Sequence, residues 1–287
     1  MQHPSLSAAA SLSKVKGPGT SGNTLICFSH LRWAFVFQRP QHLMTRFAGS
    51  HRVLFWEEPE YMHGIGAARL RRELCEDSGV EVLTPQLDAS ARGSGEEAQL
   101  AVLLDDALAG TRGPIIRWYY TPMMLPFSQH LPADCIVYDC MDELSAFRGA
   151  PPELLERERL LLECADLVFT GGTSLYEAKR SRHSNVHVFP SSIDVPHFAD
   201  ARHGLETPPD QAGIVQPRLG FSGVIDERMD LDLLAAVADA HPEWSLVVVG
   251  PVVKIAEEDL PRRANIHYLC TEYGCVNLKG LTTWEKA

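Results

Sequence analysis

The residues best suited to chemistry fall in short polar stretches directly after apolar ones. The first stretch follows Thr24–Phe28 and reads FSHLRWAFVFQRPQHL over residues 28–43. His30, Arg32, Trp33 and Arg39 occupy a turn where a dinucleotide-binding protein carries glycines, which let the backbone approach a pyrophosphate. Pro40 fits the first position of a helix, whose free N–H groups and positive end favour anions. Arg39 adds a forked cation suited to carboxylate or phosphate. The competing reading has Trp33, Phe35 and Phe37 packing a core or lid and Arg39 making an ordinary salt bridge.

Three acids, Asp139, Asp142 and Glu143, follow the apolar run that ends at Tyr138. They could hold sugar hydroxyls, serve as a base or bind a metal. Alternatively, Asp142 caps a short helix and Glu143 is solvated. Gly171-Gly172-Thr173-Ser174 combines glycines and hydroxyls ahead of a helical period. It reads as an anion cradle or as a tight connection. Asp194 closes the run Phe189-Pro-Ser-Ser-Ile and suits a turn. Farther along, Gly220-Phe-Ser-Gly223-Val-Ile-Asp-Glu-Arg228 offers Arg228 as a diphosphate clamp. Asp226, Glu227 and Asp230 crowd that cation with negative charge, and Asp230 makes a good helix N-cap.

These stretches need strands and helices to hold them. Apolar, β-branched runs predict strands at 24–29, 52–56, 80–83, 115–120, 135–139, 167–170 and 186–189. Helical periods predict helices at 40–48, 96–109, 152–164 and 174–181, with a polar surface loop at 88–97. This alternation is the signature of βαβ units on a parallel sheet, whose ligands sit beyond the carboxyl ends of the strands. The predicted domains are a disordered tail at 1–22, a Rossmann-like domain at 23–198 and a Pro- and Gly-marked linker at 199–216. A partial second Rossmann-like domain at 217–269 follows, with strands at 218–222, 245–249 and 265–269 and a helix at 231–240. An atypical tail occupies 270–287. Fewer residues follow the linker than a doubly wound domain of five or six strands requires.

Of 287 residues, 45% are hydrophobic and 22% charged, an ordinary balance for a soluble globular chain. The formal net charge of -11 repels nucleic acid backbones, so no nucleic acid partner is expected. The seven cysteines form no CxxC pair and lack the His or Cys partners of a zinc site. Cys27, Cys135 and Cys164 lie in or beside apolar runs and read as small buried side chains. A reducing cytoplasm and no structural metal are the expectations, with no signal peptide and no membrane-spanning run. The GxGxx match at Gly64-Ile-Gly66 follows no predicted strand, so a nicotinamide or flavin site is unsupported. Neither a Walker sequence nor a G-x-S-x-G elbow occurs. Residues 67–74, AARLRREL, form a short basic amphipathic stretch. They read as a solvated helix or as a weak peripheral contact with an anionic membrane at its inner face.

The ordered set of FSHLRW with QRPQHL, FWEEP (55–59), WYYTP (118–122), VYDCMDELSAF (137–147), ADLVFTGGTSLYEAKR (165–180), FPSSIDVPHF (189–198) and GFSGVIDERMDLDLL (220–234) resembles bacterial glycosyltransferases of the GT-B fold. The likeness is to glycosyltransferase family 4, in a subgroup associated with cell-surface polysaccharide synthesis. It implies an α/β protein of two Rossmann-like domains facing each other across a cleft, the second incomplete. It further implies a nucleotide-sugar co-substrate, a glycan or lipid-linked acceptor, and no bound metal or other cofactor. Asp139, Asp142 and His30 would be the catalytic residues. Arg32, Trp33, Arg39, Gly171, Gly172 and Ser174 would line the acceptor side, and Gly223 and Arg228 the donor-phosphate loop.

Two departures from the family pattern qualify these implications. Val224 follows Gly223 where many members have Arg, and the likeness stops at Cys270, before the helix whose two glutamates hold the donor. The expected function is therefore sugar transfer, impaired in this chain. The alternative is a non-catalytic glycan- or partner-binding module built on the first domain.

Overall fold

The computed structural model describes residues 22–269 apart from residues 94 and 148. The tail expected at 1–22, save its last residue, and the one expected at 270–287 lie outside the described residues. The chain divides into two units, Met1–His197 and Phe198–Ala287.

In the first unit the elements run β1 Thr24–Phe28, α1 Arg39–Phe47, β2 Arg52–Trp56, β3 Glu60–Met62, β4 Arg69–Leu74 and β5 Glu81–Asp88. They continue with α2 Glu96–Leu108, β6 Ile115–Tyr119, α3 Leu125–Ser128, β7 Cys135–Cys140, α4 Leu154–Cys164, β8 Leu167–Thr170, α5 Thr173–Lys179 and β9 Val186–Val188. The sheet order is β3-β5-β2-β1-β6-β7-β8-β9, with β4 also paired to β5. Every pairing is parallel except β4 with β5, which is antiparallel. The strand order reverses between β1 and β6, so ligands are expected in the loops after these strands.

Parallel strands covered on both faces need apolar side chains throughout. All five residues of β1 are buried accordingly. One face of the sheet packs Ile26, Phe28, Trp56 and Tyr119 against α2, α3 and α4 through Leu104, Phe127 and Leu161. The opposite face packs Cys27, Phe55, Trp118 and Tyr120 with Met44 and Ala48 of α1 and its C-cap. Phe28 stacks on Tyr119 with ring centroids 4.7 Å apart, which ties β1 to β6.

The structure differs from the sequence reading at several places. Residues 69–74 are a strand and not a helix, because Arg71 and Arg72 pair with Glu60, Glu73 and Glu81 on β3, β4 and β5. Strand β5 extends beyond the expected 80–83 to Asp88, the first residue of the expected polar loop, whose carboxylate accepts from the Ser90 N–H and caps a short turn. The Gly64-Ile-Gly66 run does follow a short strand, β3, but it leads into β4 and not a helix, so it remains unlike a dinucleotide loop. Helix α1 begins one residue earlier than expected, with Arg39 at its first position. Cys27 is buried as expected, whereas Cys135 is half-buried and Cys164 exposed.

After α6 (Val195–Ala199), the second unit contains β10 Arg218–Ser222, α7 Leu231–Ala240, β11 Ser245–Val249 and β12 Ile266–Leu269. These strands form a parallel sheet in the order β10-β11-β12. Ile225, Ala238, Leu246, Val248 and Ile266 form its core, and the Asp230 side chain caps α7 by accepting from the Leu233 N–H. Gly250 follows β11 at φ 145, and a Cβ there would lie 1.8 Å from the Gly223 carbonyl oxygen. Only glycine fits that crossing of loops.

Candidate functional site

The centre of the first unit's candidate site is a buried ion pair. Asp139, at the end of β7, is fully buried. Arg39, at the first turn of α1, grips it with both faces of its fork: Nη2 lies 2.8 Å from Oδ1, and Nε donates to Oδ2 at 3.0 Å. The third guanidinium nitrogen of Arg39, Nη1, donates to the Phe189 carbonyl oxygen just past β9. One side chain therefore joins α1, the end of β7 and the loop after β9. Burial pushes the Asp139 carboxyl above its ordinary value, and the Arg39 bonds pull it back part of the way. The Tyr120 hydroxyl and the Trp118 indole lean on the same carboxylate at the margin of hydrogen bonding.

His30 sits two residues past β1, beside the point where the strand order reverses. Its ring is half-buried and Nδ1 is shielded from solvent with no hydrogen-bond partner. Burial lowers its pKa, while the nearby Asp142 carboxylate works in the opposite direction. The result is an imidazole neutral near pH 7, able to accept a proton, with an acid close enough to stabilise the charge it would gain.

The neighbouring residues of the opening loop are held by Glu57, a carboxylate 4% exposed at the end of β2. Its oxygens accept from the Trp33 N–H at 2.7 Å, the Arg32 guanidinium at 3.0 Å and the Thr84 hydroxyl at 2.9 Å. Gln41 donates to the carbonyls of Arg32 and Trp33, and its side-chain oxygen accepts from the Gln38 N–H ahead of α1. Trp33 packs edge-on against Phe55. Arg32 and Trp33 thus set the shape of the loop that carries His30. Glu57 is not singled out in the sequence, although an acid directly after an apolar strand run marks it as it marks Asp139.

Gly171 follows β8, and its N–H donates to the Cys140 carbonyl at 2.9 Å. A Cβ there would meet the Met141 carbonyl oxygen at 2.7 Å, so the glycine brings the loops after β7 and β8 together. Gly172 has no such neighbour, and Ser174 is exposed on α5. Beneath these loops the Lys179 ammonium lies 2.7 Å from Glu158 and 2.9 Å from Glu143. Glu158 also accepts from Arg182 at 2.8 Å and from the Tyr138 hydroxyl at 2.9 Å. Burial opposes the Lys179 charge, but the two glutamates hold its pKa above the ordinary value. Glu143 is one residue from Asp142, so this network anchors the acidic loop from below.

Beside Arg39 opens a cavity of about 420 Å³. Arg39, His42, Leu43 and Arg46 of α1 form one side, and Trp118, Phe169, Phe189 and Ile193 line much of the rest. None of its lining residues except Arg39 stands out when the sequence is read for chemistry, because aromatic residues in strands look like core.

In the second unit, Gly223 follows β10 and its N–H donates to the Val249 carbonyl at 2.9 Å. Arg228 is committed to Asp226, with Nε at 2.9 Å and 3.0 Å from the two carboxylate oxygens and Nη2 at 2.6 Å from Oδ2. Among the described residues no cluster of three or more His, Cys, Asp or Glu side chains could hold a metal, and no helix is long and apolar enough to cross a membrane.

No family model and no curated protein matches the chain. Solved structures do. The E. coli protein described as trehalose-6-phosphate bound with UDP-2-fluoro glucose aligns at TM-score 0.54 and 13% identity, over 86% of this chain and 73% of that one. The UDP-forming α,α-trehalose-phosphate synthase from Burkholderia xenovorans, in complex with glucose-6-phosphate, aligns at 0.53 and 11%, covering 83% and 67%. Its counterpart from Burkholderia multivorans aligns at 0.53 and 12%, covering 89% and 73%. At such identities the likeness concerns the fold alone: an α/β chain with parallel, Rossmann-like sheets of the GT-B type.

Proposed function

We propose that this chain is a glycosyltransferase that takes a sugar from a nucleotide-sugar donor. The observation that carries the reading is the buried Arg39–Asp139 pair, set with His30 at the carboxyl ends of a GT-B-type sheet. In the reaction, an acceptor hydroxyl oxygen bonds to the sugar's anomeric carbon as the bond from that carbon to the phosphate oxygen breaks. The hydroxyl proton needs an acceptor, and the departing nucleoside diphosphate needs positive charge or N–H donors.

His30 suits the first task, being neutral near pH 7 with Asp142 beside it. Asp139 is committed to Arg39, so its role is to aim that guanidinium at the acceptor or the transferred sugar. The reading uses no metal: helix ends and basic side chains would stabilise the leaving group. We further place the acceptor among glycans or lipid-linked glycans of surface polysaccharide synthesis, and the protein in the cytoplasm. The acceptor assignment rests on the sequence resemblance, and the cytoplasmic one on the scattered cysteines.

A second reading, a binding module without catalysis, is favoured by one observation. Arg228, which would clamp the donor diphosphate, is neutralised by Asp226. Calorimetry with UDP and GDP, followed by hydrolysis assays on a panel of UDP- and GDP-sugars, separates the two. Nucleotide binding with sugar release supports the transferase. Glycan binding without nucleotide binding overturns it in favour of the module.

A further inference from the structure

The cavity beside Arg39 has an uneven chemistry. One side, formed by α1, carries Arg39, His42 and Arg46; the other carries the rings of Trp118, Phe169 and Phe189, with Ile193. Phe169 packs against both neighbours, with its ring centroid 5.6 Å from Trp118 and 5.2 Å from Phe189. The aromatic wall continues outward. Phe189 and Ile193 are more than half exposed, as is Phe37, whose ring meets the cavity residue His42 edge-on at 4.5 Å. Water-exposed aromatic and aliphatic side chains gathered at a cavity mouth mark a surface that gains by being covered with apolar matter.

The charges on the α1 side are not equivalent. Arg39 is spent on Asp139. Burial lowers the pKa of His42, Arg46 lowers it further, and Asp194 opposes them from the loop after β9, so His42 is a neutral ring near pH 7. Arg46 donates to the His42 carbonyl at 2.8 Å and has no carboxylate partner among the described residues. The site therefore offers a cation with no carboxylate bonded to it among the described residues, beside an aromatic trough, within the volume range of ligand pockets, about 300–1,000 Å³.

We infer that this cavity binds an anionic amphiphile: a molecule with a long aliphatic chain lying on Trp118, Phe169, Phe189 and Ile193, and a phosphate or carboxylate head at Arg46. A small polar anion would leave the rings uncovered, and a neutral hydrocarbon would leave the guanidinium unmatched. The inference deepens the sugar-transfer reading, on which it rests for its role, because Arg39 lines the cavity and also grips Asp139. A head group held at Arg46 would bring whatever it carries toward that centre.

The test is calorimetric titration of the full chain with dodecyl phosphate below its micelle concentration, alongside dodecanol and inorganic phosphate. Arg46→Gln and Phe189→Ser are measured in parallel; both side chains are exposed, so folding should survive either change. Dodecyl phosphate should bind, each variant should weaken it about tenfold, and inorganic phosphate should bind at least a hundredfold less tightly. The inference is overturned if dodecyl phosphate does not bind, if neither variant weakens it, or if inorganic phosphate binds equally well. Sedimentation with vesicles containing an anionic lipid distinguishes a bilayer source. Vesicle binding that both variants leave unchanged, without dodecyl phosphate binding, also counts against the cavity. UDP binding is measured in the same series, so loss of the amphiphile site and loss of the transferase reading appear as separate results.

Discussion

Replacing Arg39 by Met removes the cation from a carboxylate that water cannot reach. The Asp139 side chain is 0% exposed and that of Arg39 9% exposed, and two of the guanidinium's nitrogens engage both carboxylate oxygens. At an effective dielectric of about 20, charges roughly 4 Å apart attract by about 4 kcal/mol. Breaking buried pairs on one side typically destabilises by about 3–5 kcal/mol. We therefore expect Arg39→Met to lower the unfolding free energy by about 3–5 kcal/mol near neutral pH, read by urea denaturation.

The pH dependence has a definite sign. Burial already holds the Asp139 pKa above its ordinary value, so its contribution to stability declines as pH rises through that region. Without Arg39 the native pKa climbs further, and the deficit relative to the parent grows as pH rises. The variant should be much closer to the parent at about pH 5 than at about pH 8. The double variant Arg39→Met, Asp139→Asn should recover much of the loss, because it removes the charge along with its partner. A deficit below about 1 kcal/mol, typical of surface pairs, or one equal at both pH values, would refute the claim that Asp139 is a buried ion depending on Arg39.

Lys179→Met should destabilise by about 3 kcal/mol, because Glu158, 2% exposed, would keep only Arg182 as a cation; thermal unfolding checks this. Asp226→Asn should weaken the hold of that side chain on Arg228 and tighten UDP binding about tenfold by calorimetry, and unchanged affinity would argue against Arg228 in the donor site. If His30 is the proton acceptor, the transfer rate should fall only as pH drops below the ordinary histidine value of 6.5, since its pKa is depressed. His30→Gln should abolish that limb of the profile, and an unaltered profile would point to another base.

Much of the architecture was visible in the chain itself. Arg52–Trp56, Leu167–Thr170 and Ser245–Val249 are strands at the residues expected, because buried parallel strands need apolar runs; Arg218–Ser222 is also a strand at the residues expected, although most of it is exposed. Strand β4 was invisible for the same reason inverted. RLRREL has one strand neighbour, and its arginines find their acids across β3 and β5, a pattern no local period encodes. The positions of His30, Asp139 and Asp142 could be read from their place after strands. That Arg39 meets Asp139 could not, because 100 residues separate them. The aromatic trough was hidden too: Trp118 and Phe169 belong to strands, and only the packing shows that they also border a cavity.

Strand β4 has a consequence beyond its own pairing. It covers β5 over Glu81–Gln86 on the side away from β2, so β4 itself becomes a margin of the sheet. A bare margin of unpaired N–H and C=O groups invites another chain to add a strand. Here the outermost strand alternates Arg69, Arg71 and Glu73 with Leu70, Arg72 and Leu74, placing charge on both faces. A second copy docking edge to edge would have to desolvate those charges. The arginines of this stretch therefore raise the cost of covering the edge with a second strand.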